Sequence, residues 1–188
     1  MHTNAVGSTE LSICLRVVQT LVLYALCEHQ LGHATRISVS AQGRDFSVAD
    51  NGRGHAIART VQDAPYLDFI YEHLAFPYCR EASPPVQLQG LGMSLLNQLC
   101  SVLEVTVRKP TATLRIRFED GVRVSHTVTD EANAEPGNTV SGTVNSTLTP
   151  EPLDRSALSG WLLAVQQVNP ELKLTLNARQ LRGVAGGA

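Results

Sequence analysis

Helical spacing dominates the start of the chain. Leu11, Leu15, Val18, Val22 and Leu26 recur every three or four residues between Leu11 and about Leu31, the period at which one face of an α-helix turns apolar. Ser8-Thr9-Glu10 precedes this run as a start signal and Gly32 follows it as a stop. The period then changes to two. RISVS and RDFSVAD alternate like two strands joined at Gln42-Gly43, which delivers Asp50 to a strand end. Residues 55 to 76 predict a helix with Pro65 near a break, and PYCREASPPVQ predicts a loop. GLGMSLLNQLC opens a helix after two glycines. EVTVRK, ATLRIRFED and VRVSHTVTD predict three strands parted by Pro110 and Gly121. TDEANAEPGN reads as a polar loop, GTVNSTLT as a strand, SALSGWLLAVQQV as a helix and ELKLTLN as a last strand. Helices grouped against a mostly antiparallel sheet make an α+β two-layer sandwich. One domain over residues 1–180 and a flexible tail over 181–188 are expected.

Composition narrows the function classes. A chain of 188 residues can bury one sizeable core. Net charge is −2 and no Lys/Arg run occurs, which argues against direct nucleic-acid binding. Cys14, Cys27, Cys79 and Cys100 are scattered without a CxxC, so buried thiols in a reducing cytosol are expected. MHTNAVGSTE lacks the basic and apolar regions of a signal peptide, and LVLYALC is too short to span a bilayer. These features predict a cytoplasmic protein with no membrane partner.

Candidate chemistry begins with VADNGRGHA, residues 48 to 56. Asn51 and Gly52 suit a tight turn, but a turn alone does not require Asp50 before it or Gly54 after it. About forty residues on, Gly90-Leu91-Gly92 precedes a helix, where backbone N–H groups can face an anion. A carboxylate acceptor on one wall and a phosphate cradle on the other describe a nucleotide site. The bland readings are Asp50 as a turn cap and the glycines as structural.

VADNGRG followed by LQGLGMSLLNQLC resembles the ATPase domain of the DNA gyrase and topoisomerase IV B subunits, within the GHKL (Bergerat-fold) ATPases. AVGSTE, LGHATRISVS, FEDGV, SGTV and VNPELKLTLNARQ follow in that family's order, so the resemblance covers nearly the whole chain. It implies a mixed sheet covered by helices on one face and an ATP or ADP ligand. Asp50 matches the aspartate that reads the adenine amino group, with Gly52 and Gly54 in the same turn and Thr143 sharing the water network. Arg53 matches an arginine over the adenine edge and Glu28 its ion-pair partner. Arg115 falls near the arginine at the pocket mouth, and Gly90, Leu91 and Gly92 match the phosphate loop.

The departures fall on the first helix. The family's catalytic glutamate and magnesium-binding asparagine correspond to Thr20 and Tyr24, and a further aspartate to Cys27. These positions share one helical face. Thr20 cannot act as a general base, and Tyr24 offers Mg²⁺ no amide oxygen. The first glycine of the phosphate motif is Gln87. A degenerate, nucleotide-binding ATPase domain without catalytic or metal residues is therefore expected, unable to change DNA topology by itself. Two alternatives stand beside it. One is an active ATPase fragment of a type II topoisomerase. The other is an interaction protein that keeps only the fold and partners a topoisomerase subunit or another protein.

Overall fold

The computed structural model describes residues 12–61, 63–73 and 91–181. Helix α1, Ile13–Gln30, is buried from Cys14 to Cys27 except at Arg16 and Tyr24. A helix apolar on nearly all sides belongs in the interior, and α1 lies within the main hydrophobic cluster. Gly32 stops it in the left-handed region, at φ +80°. Ser8-Thr9-Glu10, Cys79, Gln87 and the tail from residue 182 onward lie outside the described residues.

Strands β1, Arg36–Gln42, and β2, Asp45–Asp50, pair antiparallel about the Gly43 turn, as their alternation predicts. The chain continues through β3, Thr60–Val61, β4, Ala64–Pro65, and α2, Tyr66–Glu72. After the undescribed stretch come α3, Met93–Gln98, and then β5, Cys100–Arg108, β6, Ala112–Glu119, and β7, Val122–Asp130. Strand β8 is Gly137–Val144, helix α4 Arg155–Val168, and β9 and β10 are Lys173–Leu176 and Arg179–Gln180. The main sheet runs β10-β9-β1-β2-β8-β5-β6-β7, with β1 and β9 parallel and every other pair antiparallel. Ile37, Val39, Val48, Leu103, Val105, Val107, Leu114 and Ile116 share one cluster with α1, α2, α3 and α4. This is the expected two-layer α+β sandwich on a mixed sheet.

Two expectations fail locally. Residues 55 to 76 do not form one helix: Asp63, at φ +66°, turns a small β3–β4 hairpin, and α2 begins only after Pro65. Proline lacks an N–H, so it opens this helix rather than interrupting one. The strand read as GTVNSTLT starts five residues earlier, at Gly137, and has ended by Val144. Gly137, at φ +151°, runs so close to β2 that an added Cβ would lie 2.1 Å from the Asp50 carbonyl oxygen. Only glycine fits there, and Gly137, read as part of the polar loop TDEANAEPGN, in fact begins a strand.

Candidate functional site

The site forms where β2 runs out beside α1. Asn51 anchors the loop to β1: its Oδ1 accepts the backbone N–H groups of Thr35 and Arg36 at 3.0 and 2.8 Å. Its Nδ2 donates to Thr35 Oγ1 at 3.0 Å. This leaves Asp50 on the sheet's last rung with its carboxyl held from two sides. Gly52 N donates to Oδ1 at 2.8 Å and Asn138 Nδ2 to Oδ2 at 3.2 Å. Burial pushes the Asp50 carboxyl above the ordinary carboxylate value, with Glu28 adding to the rise against these two hydrogen bonds. Each carboxylate oxygen has two lone pairs, so Asp50 retains acceptor capacity for a ligand donor.

Glu28 and Arg53 meet as the sequence suggests. Arg53 Nη2 and Nε donate to Glu28 Oε1 and Oε2 at 2.8 and 3.2 Å, and the Arg53 backbone N–H adds a third bond at 3.2 Å. Burial raises the Glu28 carboxyl, but Arg53's bonds and charge together bring it below its usual value. Gly52 is crowded by side chains, and Gly54 is required by both space and backbone conformation. A Cβ on Gly52 would lie 2.9 Å from Asp50 Oδ1 and 3.0 Å from Glu28 Oε2. One on Gly54, at φ +69°, would lie 2.7 Å from the Arg108 carbonyl.

The structure adds residues that carry no motif signal. Asn138 is buried and doubly tied: its Oδ1 accepts the His55 N–H at 2.9 Å while its amide reaches Asp50. Lys109 Nζ donates to the carbonyls of Arg53 and Gly54 at 2.8 and 2.7 Å, closing the loop from the β5–β6 turn. His55, to which spacing alone assigns no chemistry, lies 6.4 Å from the Tyr66 ring, centroid to centroid. Burial, reinforced by Lys109 and opposed by Glu28, lowers its imidazole to about 4. It therefore presents a neutral ring at neutral pH.

Two expected positions do not reach this site. Thr143 faces Asp45, at the opposite end of β2 from Asp50, and its hydroxyl donates to Asp45 Oδ1 at 2.6 Å. The early start of β8 is the cause, since it puts Asn138 next to Asp50 and carries Thr143 to the far end. Arg115 is exposed, and its chain neighbours Leu114 and Ile116 point into the core, so it projects from the sheet face away from the helices. Arg108 and Lys109 are the cations beside the loop instead. Arg108 Nη2 donates to Thr139 Oγ1 at 3.0 Å.

On α1, Arg16, Thr20, Tyr24 and Glu28 follow at intervals of four and form one line along the helix. Thr20 is fully buried. Its hydroxyl donates to the Arg16 carbonyl at 2.8 Å and accepts the Leu91 N–H at 3.0 Å. Leu91 and Gly92 thus sit against Thr20, and Gly92 is the N-cap of α3; Gly90 lies outside the described residues. Tyr24 is partly buried and packs on the core. Thr20, Tyr24 and Cys27 supply no carboxylate or amide oxygen of the kind Mg²⁺ takes. Among the described residues no group of three or more His, Cys, Asp or Glu is placed to hold a metal. Cys14, Cys27 and Cys100 are buried free thiols, and no helix among the described residues is long and apolar enough to cross a membrane.

No family model matches the chain. In sequence it is 26% identical over 193 residues to the chloroplastic/mitochondrial DNA gyrase B subunit of Oryza sativa subsp. japonica, covering 96% of this chain and 26% of that protein. It is 32% identical over 144 residues to the DNA gyrase B subunit of Haloferax volcanii, covering 74% of this chain and 22% of that protein. The chain thus spans about a quarter of the length of these curated relatives. In structure it superimposes on the topoisomerase IV ATP binding domain of Francisella tularensis, solved with a small molecule inhibitor. The TM-score there is 0.71 at 17% identity, over 88% of this chain and 85% of that one. The 43K ATPase domain of Thermus thermophilus gyrase B, solved with an aminocoumarin, gives a TM-score of 0.70 at 23% identity, over 85% and 42% of the two chains.

Proposed function

We propose that this chain, which is similar in sequence to part of the gyrase B subunit and has the fold of the GHKL ATPase domains of gyrase B and topoisomerase IV, binds an adenine nucleotide, ATP or ADP, at the Asp50 loop and hydrolyses it poorly or not at all. The observation that carries the reading is the held carboxyl of Asp50, fixed by Gly52 and Asn138 in a loop that Asn51, Lys109 and the Glu28–Arg53 pair lock in place. A structural turn needs no such set of supports. An acceptor aimed at the exocyclic amine of adenine does, because recognition requires a fixed direction. The solved neighbours are ATP-binding domains, which supports the same ligand class.

Poor hydrolysis follows from Thr20 and Tyr24. Thr20 spends its hydroxyl on Arg16 and Leu91 and has no basic group to activate water, a role typically worth ~10²–10⁴ in rate. The α1 line does not fit Mg²⁺: Thr20 and Tyr24 bring no carboxylate or amide oxygen, and both oxygens of Glu28 are bonded to Arg53. The curated relatives are gyrase subunits, so a topoisomerase subunit is the partner class we propose, in the cytoplasm.

Calorimetric titration with ADP, with and without Mg²⁺, tests this function. Metal-insensitive binding is expected. Tight binding that requires Mg²⁺ would favour a working ATPase domain, and absence of binding would leave an interaction protein that keeps only the fold.

A further inference from the structure

We propose that the site recognises its ligand by the base and not by the phosphate chain, so that an uncharged adenine nucleoside binds about as tightly as ATP. This rests on the adenine reading above and specifies its ligand class. The bond between Thr20 and Leu91 is the first ground. The Leu91 N–H lies just before the Gly92 N-cap of α3 and is the kind of donor a phosphate needs, yet it is given to Thr20 Oγ1 at 3.0 Å. Thr20 is fully buried and its own proton goes to the Arg16 carbonyl, so the pair forms a closed latch between α1 and the start of α3. Helix α3 behind it has six residues, under two turns, and sums too few peptide dipoles to replace the lost donor.

Among the described residues the cations near the loop are engaged as well, Arg108 with Thr139 Oγ1. Lys109 bonds the Arg53 and Gly54 carbonyls, and Arg53 bonds both oxygens of Glu28. These contacts shape the base end of the site. A polyphosphate would also approach the carboxyls of Asp50 and Glu28, close enough for Glu28 to raise the Asp50 value, and Thr20, Tyr24 and Cys27 add no carboxylate or amide oxygen that could hold a divalent ion to offset that repulsion. The base end is furnished differently: a held carboxyl, the Asn138 amide, the neutral His55 imidazole and the Tyr66 ring. Asn138, His55 and Tyr66 are flat, uncharged groups beside one acceptor, with the Arg59 guanidinium 4.8 Å from the Tyr66 ring centroid, and such a set suits a purine. Arg16 lies one turn before Thr20 on the same line of α1.

Adenosine, ADP and ATP titrated calorimetrically into the whole chain, in Mg²⁺ and again in EDTA, separate the possibilities. We expect dissociation constants within about threefold of one another and no effect of EDTA. Arg16→Gln should leave all three unchanged. Thr20→Val, checked for folding by circular dichroism, releases the Leu91 N–H and should open a gap in favour of ADP over adenosine. ATP or ADP binding more than about tenfold tighter than adenosine to the wild type would overturn the inference while leaving the adenine reading intact. An unchanged ADP-to-adenosine ratio in folded Thr20→Val would overturn the latch. If none of the three ligands binds, the adenine reading fails and this inference fails with it.

Discussion

Asn138 donates its side-chain amide to Asp50 Oδ2 over 3.2 Å, across the rung where β8 begins and β2 ends. The same side chain accepts the His55 N–H at 2.9 Å, so its amide is turned toward Asp50 and cannot flip without losing a bond. Family order alone points to Thr143 for this neighbourhood, yet Thr143 pairs with Asp45. Asp45 and Asp50 are five residues apart on one strand, roughly 17 Å.

A pair of substitutions separates these positions. Asn138→Ala removes a hydrogen bond to a buried carboxyl, a loss of about 1–2 kcal/mol, and should weaken nucleotide binding about tenfold. Thr143→Val should leave affinity unchanged, because its partner is Asp45. Titration of both variants with ADP decides it. A large effect at Thr143 with none at Asn138 would restore the family-order assignment.

Much of this arrangement is legible in the sequence, and the failures have identifiable causes. The 3.6-residue period of α1 and the Gly32 stop mark the helix to within two residues of Ile13–Gln30, and the alternation of β1 and β2 delivers Asp50 to the strand end. Glu28 and Arg53 meet because they flank that same corner. The start of β8 is hidden by Pro136 and Gly137, which read as part of a polar loop while the backbone at Gly137 is pressed against Asp50. Lys109 carries no motif, since its role depends on the β5–β6 turn folding back over Gly54. Arg115 misleads because alternation decides its face, and Leu114 and Ile116 on either side are the buried ones.

Acid should destabilise the fold through His55. Its folded value, about 4, lies below the ordinary 6.5. Between those values the unfolded chain binds a proton that the native state refuses. Stability from this group is therefore full above about pH 6.5 and lost as pH falls toward 4. His55 keeps some surface in solvent, so the loss is discounted to the order of 1–2 kcal/mol. Urea unfolding at pH 7 and pH 4.5 reads it directly, and His55→Phe should flatten the difference. An equally steep acid loss in the variant would assign the effect to another group.

Steady-state phosphate release should be negligible at saturating ATP and Mg²⁺. Thr20→Glu should not restore it, since Tyr24 still stands where a metal ligand is needed and Glu28, the next carboxylate along α1, is held by Arg53. Robust turnover in Thr20→Glu, measured against a buffer blank, would show that Tyr24 does not exclude the metal.

The Asp50 carboxyl is the centre of the proposed function, and a single comparison tests it. Burial raises this carboxyl above its unfolded value, so the stability it contributes is present at low pH and is lost as pH rises through the folded value. A neutral isostere avoids that loss but sets its own NH₂ against either the Gly52 N–H or the Asn138 amide, so Asp50→Asn should stay folded at 25 °C and melt roughly 5 °C below wild type at pH 7. The asparagine presents an amide where the ligand needs a charged acceptor, worth about 1.5–3 kcal/mol. The decisive measurement is the dissociation constant for ADP in wild type and in Asp50→Asn, on protein shown to be folded. We expect binding to fall at least about tenfold, to undetectable levels if the wild-type affinity is modest. Equal affinity in the two proteins would reduce the loop from Asp50 to Gly54 to a chain reversal.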